Sequence, residues 1–396
     1  MMTNPITDHF ELKTPYYVFD LKALRERTAL LKEKAQQKGV SLCYAIKANP
    51  FLTPYLSDLV ESFEVCSHGE LKICKAQELD AGKIVLSGVN KEEDFIRDGI
   101  TAGVKYLTAE SLSHFLCIAK VAGELKQHVR VLLRLSCGAQ FGMDRSVLED
   151  IIQRKADYEY VQIAGIHFFS GTQKKKLKKI TGELDALSDL MKDLHERYGF
   201  DAELLEFGPG LAVPYFNGDD FENDLQDYED LLSYIEQQSY PYPVVLEMGR
   251  FFTAACGTYV TGVADCKTNE GLNVCIIDGG KNHLNYYGQN MALKTPLIDH
   301  IRRDAEDGDE QTWTLFGSLC SFNDIIAREV PFTGLKTGDR LAFRNVGAYS
   351  VTEGIYLFLS RPMPDIYLLT EDGSLINVRK GIETYTVNGG GSELLL

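Results

Sequence analysis

Leu42-Cys43-Tyr44-Ala45-Ile46-Lys47-Ala48-Asn49-Pro50 is the stretch that decides the fold of this chain. Leu42 to Ile46 is mostly apolar and lacks polar alternation, which suits a strand buried on both faces, as in a parallel sheet closed into a barrel. Asn49-Pro50 ends the run, because proline donates no ladder hydrogen bond and restricts the residue before it. Lys47 is therefore predicted at the carboxyl end of a buried strand, where barrel enzymes carry their chemistry. Desolvation at such a place favours the neutral, nucleophilic amine. The plainer alternative is a lysine snorkelling outward from a strand end.

Working outward, 14–20 reads as a strand, and a charged amphipathic helix follows over 21–38, ended by Gly39. Strand-like runs then recur at 41–47, 62–67, 83–88, 104–108, 129–136, 160–168, 202–207 and 243–248. Helical patterns separate them at 69–80, 91–98, 110–124, 147–154, 174–198 and 220–238. This alternation predicts one (β/α)₈ barrel, of the TIM type, over 21–256. After Gly257 the rhythm changes to short β-rich runs at 258–263, 272–277, 312–316, 340–344 and 366–370, punctuated by Gly-Asp and Asp-Gly turns. An antiparallel β-domain is expected from 257–396 together with 1–20. The charged stretch 301–311 reads as an exposed loop.

Composition narrows the function classes. A net charge of −16 argues against nucleic acid and against an anionic membrane surface as partners. No run of about 18 apolar residues is present, so no membrane span is expected. The nine cysteines are scattered without a Cys-X-X-Cys pair, which points away from a zinc knuckle and from a redox pair. Their odd number and the lack of an amino-terminal apolar segment fit reduced thiols in a cytoplasm. No metal site is expected.

The ends of the predicted barrel strands gather chemical groups. Leu246-Glu247-Met248-Gly249-Arg250 closes the last strand and Gly165-Ile166-His167-Phe168-Phe169-Ser170 the sixth. Glu206-Phe207-Gly208-Pro209-Gly210 closes the seventh with a glycine-rich turn. Arg134 stands within the apolar fifth strand, where a buried charge needs a partner. Glu64 lies in Phe63-Glu64-Val65-Cys66. Each has a plainer reading alone: a salt bridge for Glu247 and Arg250, a tight turn for the glycines, a satisfied core histidine for His167.

Together these motifs resemble the fold-type III, alanine-racemase-like pyridoxal-phosphate enzymes, and within them the diaminopimelate and ornithine decarboxylases. The resemblance runs from about residue 14 to 362 and begins with Tyr44-Ala45-Ile46-Lys47-Ala48-Asn49. It implies pyridoxal 5′-phosphate held as a Schiff base by Lys47, with Glu247 on the ring nitrogen and His167 stacked on the ring. Arg134 would meet the phenolic oxygen, and Glu64 would lie near the lysine. Ser170, Gly208, Gly210, Gly249, Arg250 and Tyr349 (in Gly347-Ala348-Tyr349) would hold the phosphate. Met248 replaces the family's proline, and Pro209 removes one N–H from its glycine loop. Racemases of this fold are similar but carry arginine at the ring nitrogen, so Glu247 favours decarboxylation. Gly317-Ser318-Leu319-Cys320-Ser321-Phe322-Asn323-Asp324 is similar to the segment whose cysteine enters the partner subunit's site and protonates the product carbon. A homodimer with shared sites follows, with Cys320, Ser321 and Asp324 near the substrate. Asp278-Gly279-Gly280 matches a further landmark, read as a structural turn.

The departures bear on the substrate. Diaminopimelate decarboxylases carry glutamate after the cysteine, and ornithine and lysine decarboxylases carry aspartate. Here Ser321 follows Cys320, and 285–296 contains no arginine. Gln140-Phe141-Gly142-Met143-Asp144, Gly171-Thr172-Gln173 and Val213-Pro214-Tyr215-Phe216 are closer to a biosynthetic subgroup typified by the butirosin-pathway enzyme, which acts on glutamyl groups tethered to a carrier protein. The expectation is α-decarboxylation of an amino acid or derivative, tethered or a siderophore or other secondary-metabolite precursor. The alternatives are a free diaminopimelate, ornithine or lysine substrate, an amino-acid racemase, or a non-catalytic regulatory homologue. The run Lys174-Lys175-Lys176-Leu177-Lys178-Lys179 is expected at the barrel mouth, as a dock for an acidic carrier protein, as a guide for an anionic substrate, or as a solvated helix start.

Overall fold

The computed structural model describes residues 9–288, 292–304 and 308–389. Residues 289–291 of the 285–296 stretch, 305–307 of the charged loop, and both ends of the expected β-domain lie outside it. By contacts the chain divides into two compact units. One is Arg27–Val213 with Glu222–Phe252; the other is Met1–Glu26, Pro214–Phe221 and Thr253–Leu396, as far as they are described.

In chain order the first strand, β1 (Tyr16–Asp20), belongs to the second unit, and helix α1 (Leu21–Gln37) follows it. The first unit is a closed parallel barrel of β2 (Ser41–Ala45), β3 (Ser62–Val65), β4 (Ile84–Leu86), β5 (Tyr106–Ala109), β6 (Val129–Arg134), β7 (Val161–Phe169), β8 (Leu204–Gly208) and β9 (Val244–Met248). β9 returns to β2 with Cys43 beside Glu247, which closes the ring. Helices α2 (His68–Ala76), α3 (Glu93–Ala102), α4 (Leu112–Leu125), α5 (Arg145–Gln153), α6 (Leu177–Tyr198) and α7 (Gln226–Gln238) alternate with the strands. β2, β3, β5 and β8 are buried almost throughout, as strands between a packed interior and a helical coat must be. The barrel interior contains a packed apolar layer of Cys43, Val85, Tyr106, Leu132, Ala164 and Leu204.

β2 stops at Ala45, two residues short of the expectation, and Lys47 sits in a 3₁₀ turn, Ile46–Ala48. The cause is local. The Tyr44 hydroxyl donates to the Asn49 carbonyl at 2.9 Å, and Pro50 opens a second 3₁₀ turn capped by the Asn49 side chain. The backbone is drawn back over the strand end, and the lysine is lifted onto the rim.

The second unit is a nine-stranded sheet built around the long β10 (Gly257–Asn269). It also holds β11 (Leu272–Ile277), β12 (Ile298–Ile301), β13 (Glu310–Phe316), β14 (Ile325–Thr333), β15 (Arg340–Arg344), β16 (Asp365–Leu369) and β17 (Leu375–Arg379). The sheet is mostly antiparallel, with two parallel pairings, β1 with β16 and β11 with β13. Three strands are additional to the sequence reading: β12, β14 and β17. β14 contains Pro331, which reads as a strand breaker, yet the strand lies at the sheet edge, where a missing N–H is tolerated. Among the described residues no helix is long and apolar enough to cross a membrane.

Two glycines in the barrel unit make contrasting tests. A Cβ on Gly165 of β7 would sit 2.1 Å from the Leu204 carbonyl oxygen, whereas one on Gly182 of α6 would meet open space. Gly165→Ala should destabilise the protein by about 1–3 kcal/mol in urea unfolding. Gly182→Ala should stabilise it by about 0.5–1 kcal/mol.

Candidate active site

Five strand ends of the barrel bring the predicted groups together. The rim turn after β2 supplies Lys47, β3 Glu64, β6 Arg134, β7 His167 and β9 Glu247. Lys47 Nζ donates to Glu64 in a short contact and lies 3.7 Å from Glu247 Oε1. The other Glu247 oxygen is 2.7 Å from His167 Nε2. Glu64 is 2% exposed, while the Lys47 side chain remains 39% exposed, so the amine faces the mouth and the carboxylates form the dry floor. Lys47 Nζ also lies 3.6 Å from the Cys66 sulfur. Burial pushes the His167 imidazole down to about 3, helped by the Arg134 guanidinium. His167 is thus a neutral ring that donates from Nε2 to Glu247.

A second ionic line, missed in the sequence, supports Arg134. Its Nη1 lies 3.0 Å from Glu110 Oε1, just after β5, and Lys91 Nζ lies 3.8 Å from the same oxygen. Lys91 is buried and pushed down to about 8, chiefly by desolvation. Glu110 and Lys91 each follow a short apolar strand, the signal that singled out Lys47, but neither sits in a motif that draws the eye. Arg134 also packs over the Phe141 ring at 4.7 Å.

Of the expected phosphate-binding groups, Ser170, Gly208, Gly210, Gly249 and Arg250 lie at the carboxyl ends of β7, β8 and β9, while Tyr349 belongs to the β-unit. Ser170 Oγ and Lys174 Nζ each donate to a different oxygen of Glu183 at 2.6 Å. Arg250 Nε lies 3.1 Å from Thr172 Oγ1. Gly210 has φ +64°, and a Cβ there would lie 1.9 Å from the Gly171 carbonyl oxygen, so only glycine fits. A Cβ on Gly208 would meet the Phe169 ring at 2.6 Å. Close packing alone therefore requires both glycines, whatever they bind.

Two expectations are corrected by geometry. Lys174 is not part of an exposed basic run. Its N–H donates to the Gly210 carbonyl and its amine is buried on Glu183, because α6 begins only at Leu177. Asp324, expected near the substrate, is turned into its own loop rather than exposed at the tip. It is 2% exposed, and its two oxygens accept the N–H groups of Lys281 and Leu319, each at 2.8 Å. It braces the loop whose tip carries Cys320 and Ser321, both exposed, and Phe322, which is 100% exposed. That loop and Tyr349 (φ +68°) belong to the β-unit.

Does this set of residues fit a flat, polar, anionic cofactor? Arg134 Nε, Glu110 Oε2 and His167 Nδ1 are buried without a hydrogen-bond partner. Such atoms cost free energy unless something outside the polypeptide completes them. They stand around an amine able to form a covalent bond and a carboxylate able to hold a ring nitrogen protonated. The residues fit pyridoxal phosphate. The ligand atoms of Glu64, His167 and Glu247 also lie within 4.8 Å of one another, a spacing a metal ion can bridge, but Lys47 supplies the positive charge there.

The sequence model described as "Pyridoxal-dependent decarboxylase, pyridoxal binding domain" matches residues 21–254. The chain is 27% identical to the L-glutamyl-[BtrI acyl-carrier protein] decarboxylase of Niallia circulans, over 95% of this chain and 92% of that one. It is 25% identical to a diaminopimelate decarboxylase of Campylobacter jejuni, over 86% and 87%. With the 2-[(L-alanin-3-ylcarbamoyl)methyl]-2-hydroxybutanedioate decarboxylase of Staphylococcus aureus it shares 26%, over 90% and 94%. In fold it is similar to the diaminopimelate decarboxylase of M. jannaschii crystallised with L-lysine, with a TM-score of 0.85, 23% identity and coverage of 98% and 94%.

The buried histidine gives a pH test. Its charged form is disfavoured in the folded state, so only the unfolded chain gains this proton as pH falls below about 6.5, and the associated stability is lost from there downward. Histidine-selective ¹⁵N NMR of the cofactor-free protein should find His167 neutral at pH 5, and His167→Gln should flatten the loss of unfolding free energy between pH 6 and 4.5. An imidazolium signal for His167 at pH 5 would contradict the assignment.

Proposed function

The chain belongs to the pyridoxal-dependent decarboxylase family, and from that premise we propose that its substrate is an α-amino acid whose far end is acylated or tethered rather than free and charged. The observation that carries this reading is the tip of the Cys320 loop. Ser321, Phe322 and Asn323 are exposed and uncharged, and the nearby carboxylate, Asp324, is spent on backbone N–H groups. A free distal ammonium or ammonium–carboxylate pair entering a desolvated site needs a charged partner, and this tip offers none. The names of two relatives describe substrates of the blocked kind, an L-glutamyl carrier protein and an L-alanin-3-ylcarbamoyl derivative. The diaminopimelate decarboxylases among the relatives favour the free diamino acid as the second reading.

The family resemblance suggests the roles, and the clustering of Lys47, Glu64, His167 and Glu247 supports them. Lys47 would hold the cofactor covalently at the mouth, with Glu64 beneath it steadying the amine. Glu247 would face the ring nitrogen and His167 the ring. Arg134, fixed by Glu110, would meet the phenolic oxygen. Ser170, Gly208, Gly210, Gly249 and Arg250 would hold the phosphate. Bound, the cofactor supplies an electron sink for the pair released when the Cα–carboxylate bond breaks and carbon dioxide leaves. Cys320 of a second copy of the chain then delivers its thiol proton to Cα, which makes the working unit a homodimer with shared sites. Glu247 rather than arginine at the ring nitrogen speaks against racemisation. Lys47 and Cys320 together speak against a non-catalytic homologue. Nine free thiols suit a reducing cytoplasm.

For a tethered substrate, Lys175, Lys176, Lys178 and Lys179 are exposed at the start of α6 in a chain of net charge −16, and would dock an acidic carrier protein.

Four measurements test this. Borohydride trapping should attach pyridoxal phosphate to Lys47 in the wild type and leave Lys47→Ala unlabelled. Product analysis by mass spectrometry should find carbon dioxide released from aminoacyl carrier-protein thioesters or N-acylated diamino acids, with free ornithine, lysine and diaminopimelate at least 100-fold poorer. Equal turnover of a free diamino acid would move the enzyme to the second reading. Cys320→Ala should keep the trapped cofactor yet lower clean amine formation by two orders of magnitude or more, on the order of a lost general acid. Lys175→Glu with Lys178→Glu should raise KM for a carrier-protein substrate at low salt and leave small substrates unaffected. Unchanged KM for the carrier protein would remove the docking role.

A further inference from the structure

None of the roles above employs Glu206, although it lies inside the same barrel. Strand alternation in β8 turns it to the same side as Leu204, which belongs to the apolar interior layer. Glu206 is 1% exposed, and its carboxyl has no neighbour to hydrogen-bond beyond the weak thiol of Cys43. The titratable groups around it come from five of the other barrel strands or their ends. They are Cys43 of β2, Glu64 of β3, Lys105 and Tyr106 at the start of β5, His167 at the paired position on β7, and Glu247 of β9. The one cation of this set, Lys105, has the weakest influence on it. An ionised Glu206 would thus be a third buried negative charge beside Glu64 and Glu247 without an ion pair of its own, which burial strongly disfavours. Desolvation, reinforced by Glu247 and Glu64, pushes this carboxyl up to about 8.

Register sets Glu206 beside Val245, two residues before Glu247 on β9, so it lies one inward-facing position below the carboxylate that pairs with Lys47. We propose that Glu206 is a positioning residue acting on Lys47 through that cluster: as a neutral acid it leaves the amine opposed by two negative charges, and by ionising it adds a third that retains the lysine proton. The chain then carries its own alkaline limit. Raising the pH ordinarily frees an amine for bond formation; here it also charges the floor below that amine, and the two effects oppose each other. The inference rests on Lys47 being the cofactor lysine.

The same residue leaves a mark on folding. Its folded-state proton affinity is raised, so the folded chain keeps a proton that the unfolded chain has released. Stability is therefore lost as pH rises from the ordinary carboxyl range to about 8.

The test uses cofactor-free protein, pyridoxal phosphate as the probe and borohydride trapping on Lys47 as the readout, from pH 6.5 to 9.5. Wild type and Glu206→Gln should capture the cofactor at the same rate near pH 6.5. By pH 9 the variant should be faster by about an order of magnitude, the effect of one unit charge across a partly buried site. In urea unfolding, Glu206→Gln should also lose the wild-type decline in stability between pH 5 and 8. Superimposable capture profiles, or a slowing of Glu206→Gln by the same factor at every pH, would overturn the proposal. Glu206→Leu, which cannot titrate, should follow Glu206→Gln if that variant folds poorly. No labelling of Lys47 at any pH in the wild type would instead overturn the reading of Lys47 itself.

Discussion

The ion pairing of Lys47 with Glu64 and Glu247 is the constraint on which the barrel's chemistry depends. Its three members come from different parts of the chain and meet because β2 lies between β3 and β9. Register places Ala45 beside Glu64 and Cys43 beside Glu247. A slip of one residue in either pairing would turn a buried carboxylate into the helical coat. Two carboxylates this dry are tolerable only with a cation between them and a donor on the remaining oxygen, and His167 is that donor. The fold and the site are therefore specified by the same few contacts.

Around that cluster the barrel is graded. Below is an apolar layer with no polar demands, in the middle are groups that can be neutral or charged, and at the rim is an amine open to solvent. Arg134 and His167 keep unpartnered atoms at this level. A polypeptide optimised for stability alone would have satisfied them, so they represent affinity held ready for a ligand.

Much of this was legible in the sequence, and what escaped has physical reasons. The apolar runs ending in Lys47, His167 and Glu247 revealed both the barrel and its rim, because a strand buried on both faces has few other ways to be written. Glu110, Lys91 and Glu206 were not found, since a single charged residue in or after an apolar run reads as a surface position until its strand neighbours are known. The lysine run was legible as charge but not as structure; only the tie between Lys174 and Gly210 separates one buried lysine from four exposed ones. β14 was hidden by its own proline, and Asp324 by a motif that says where it stands and not which way it faces.

The bracing of the Cys320 loop has a consequence for how such an enzyme can change. Asp324 holds its loop through the backbone N–H groups of Lys281 and Leu319, and Gly280 and Gly317 leave room for its carboxylate. None of these contacts involves the side chains at 321–323, which project into solvent. The shape of the loop and the identity of its tip are thus separately heritable. Substitutions at the tip can therefore be made without unfolding the support that presents the thiol. The tip can in this way vary through stably folded intermediates.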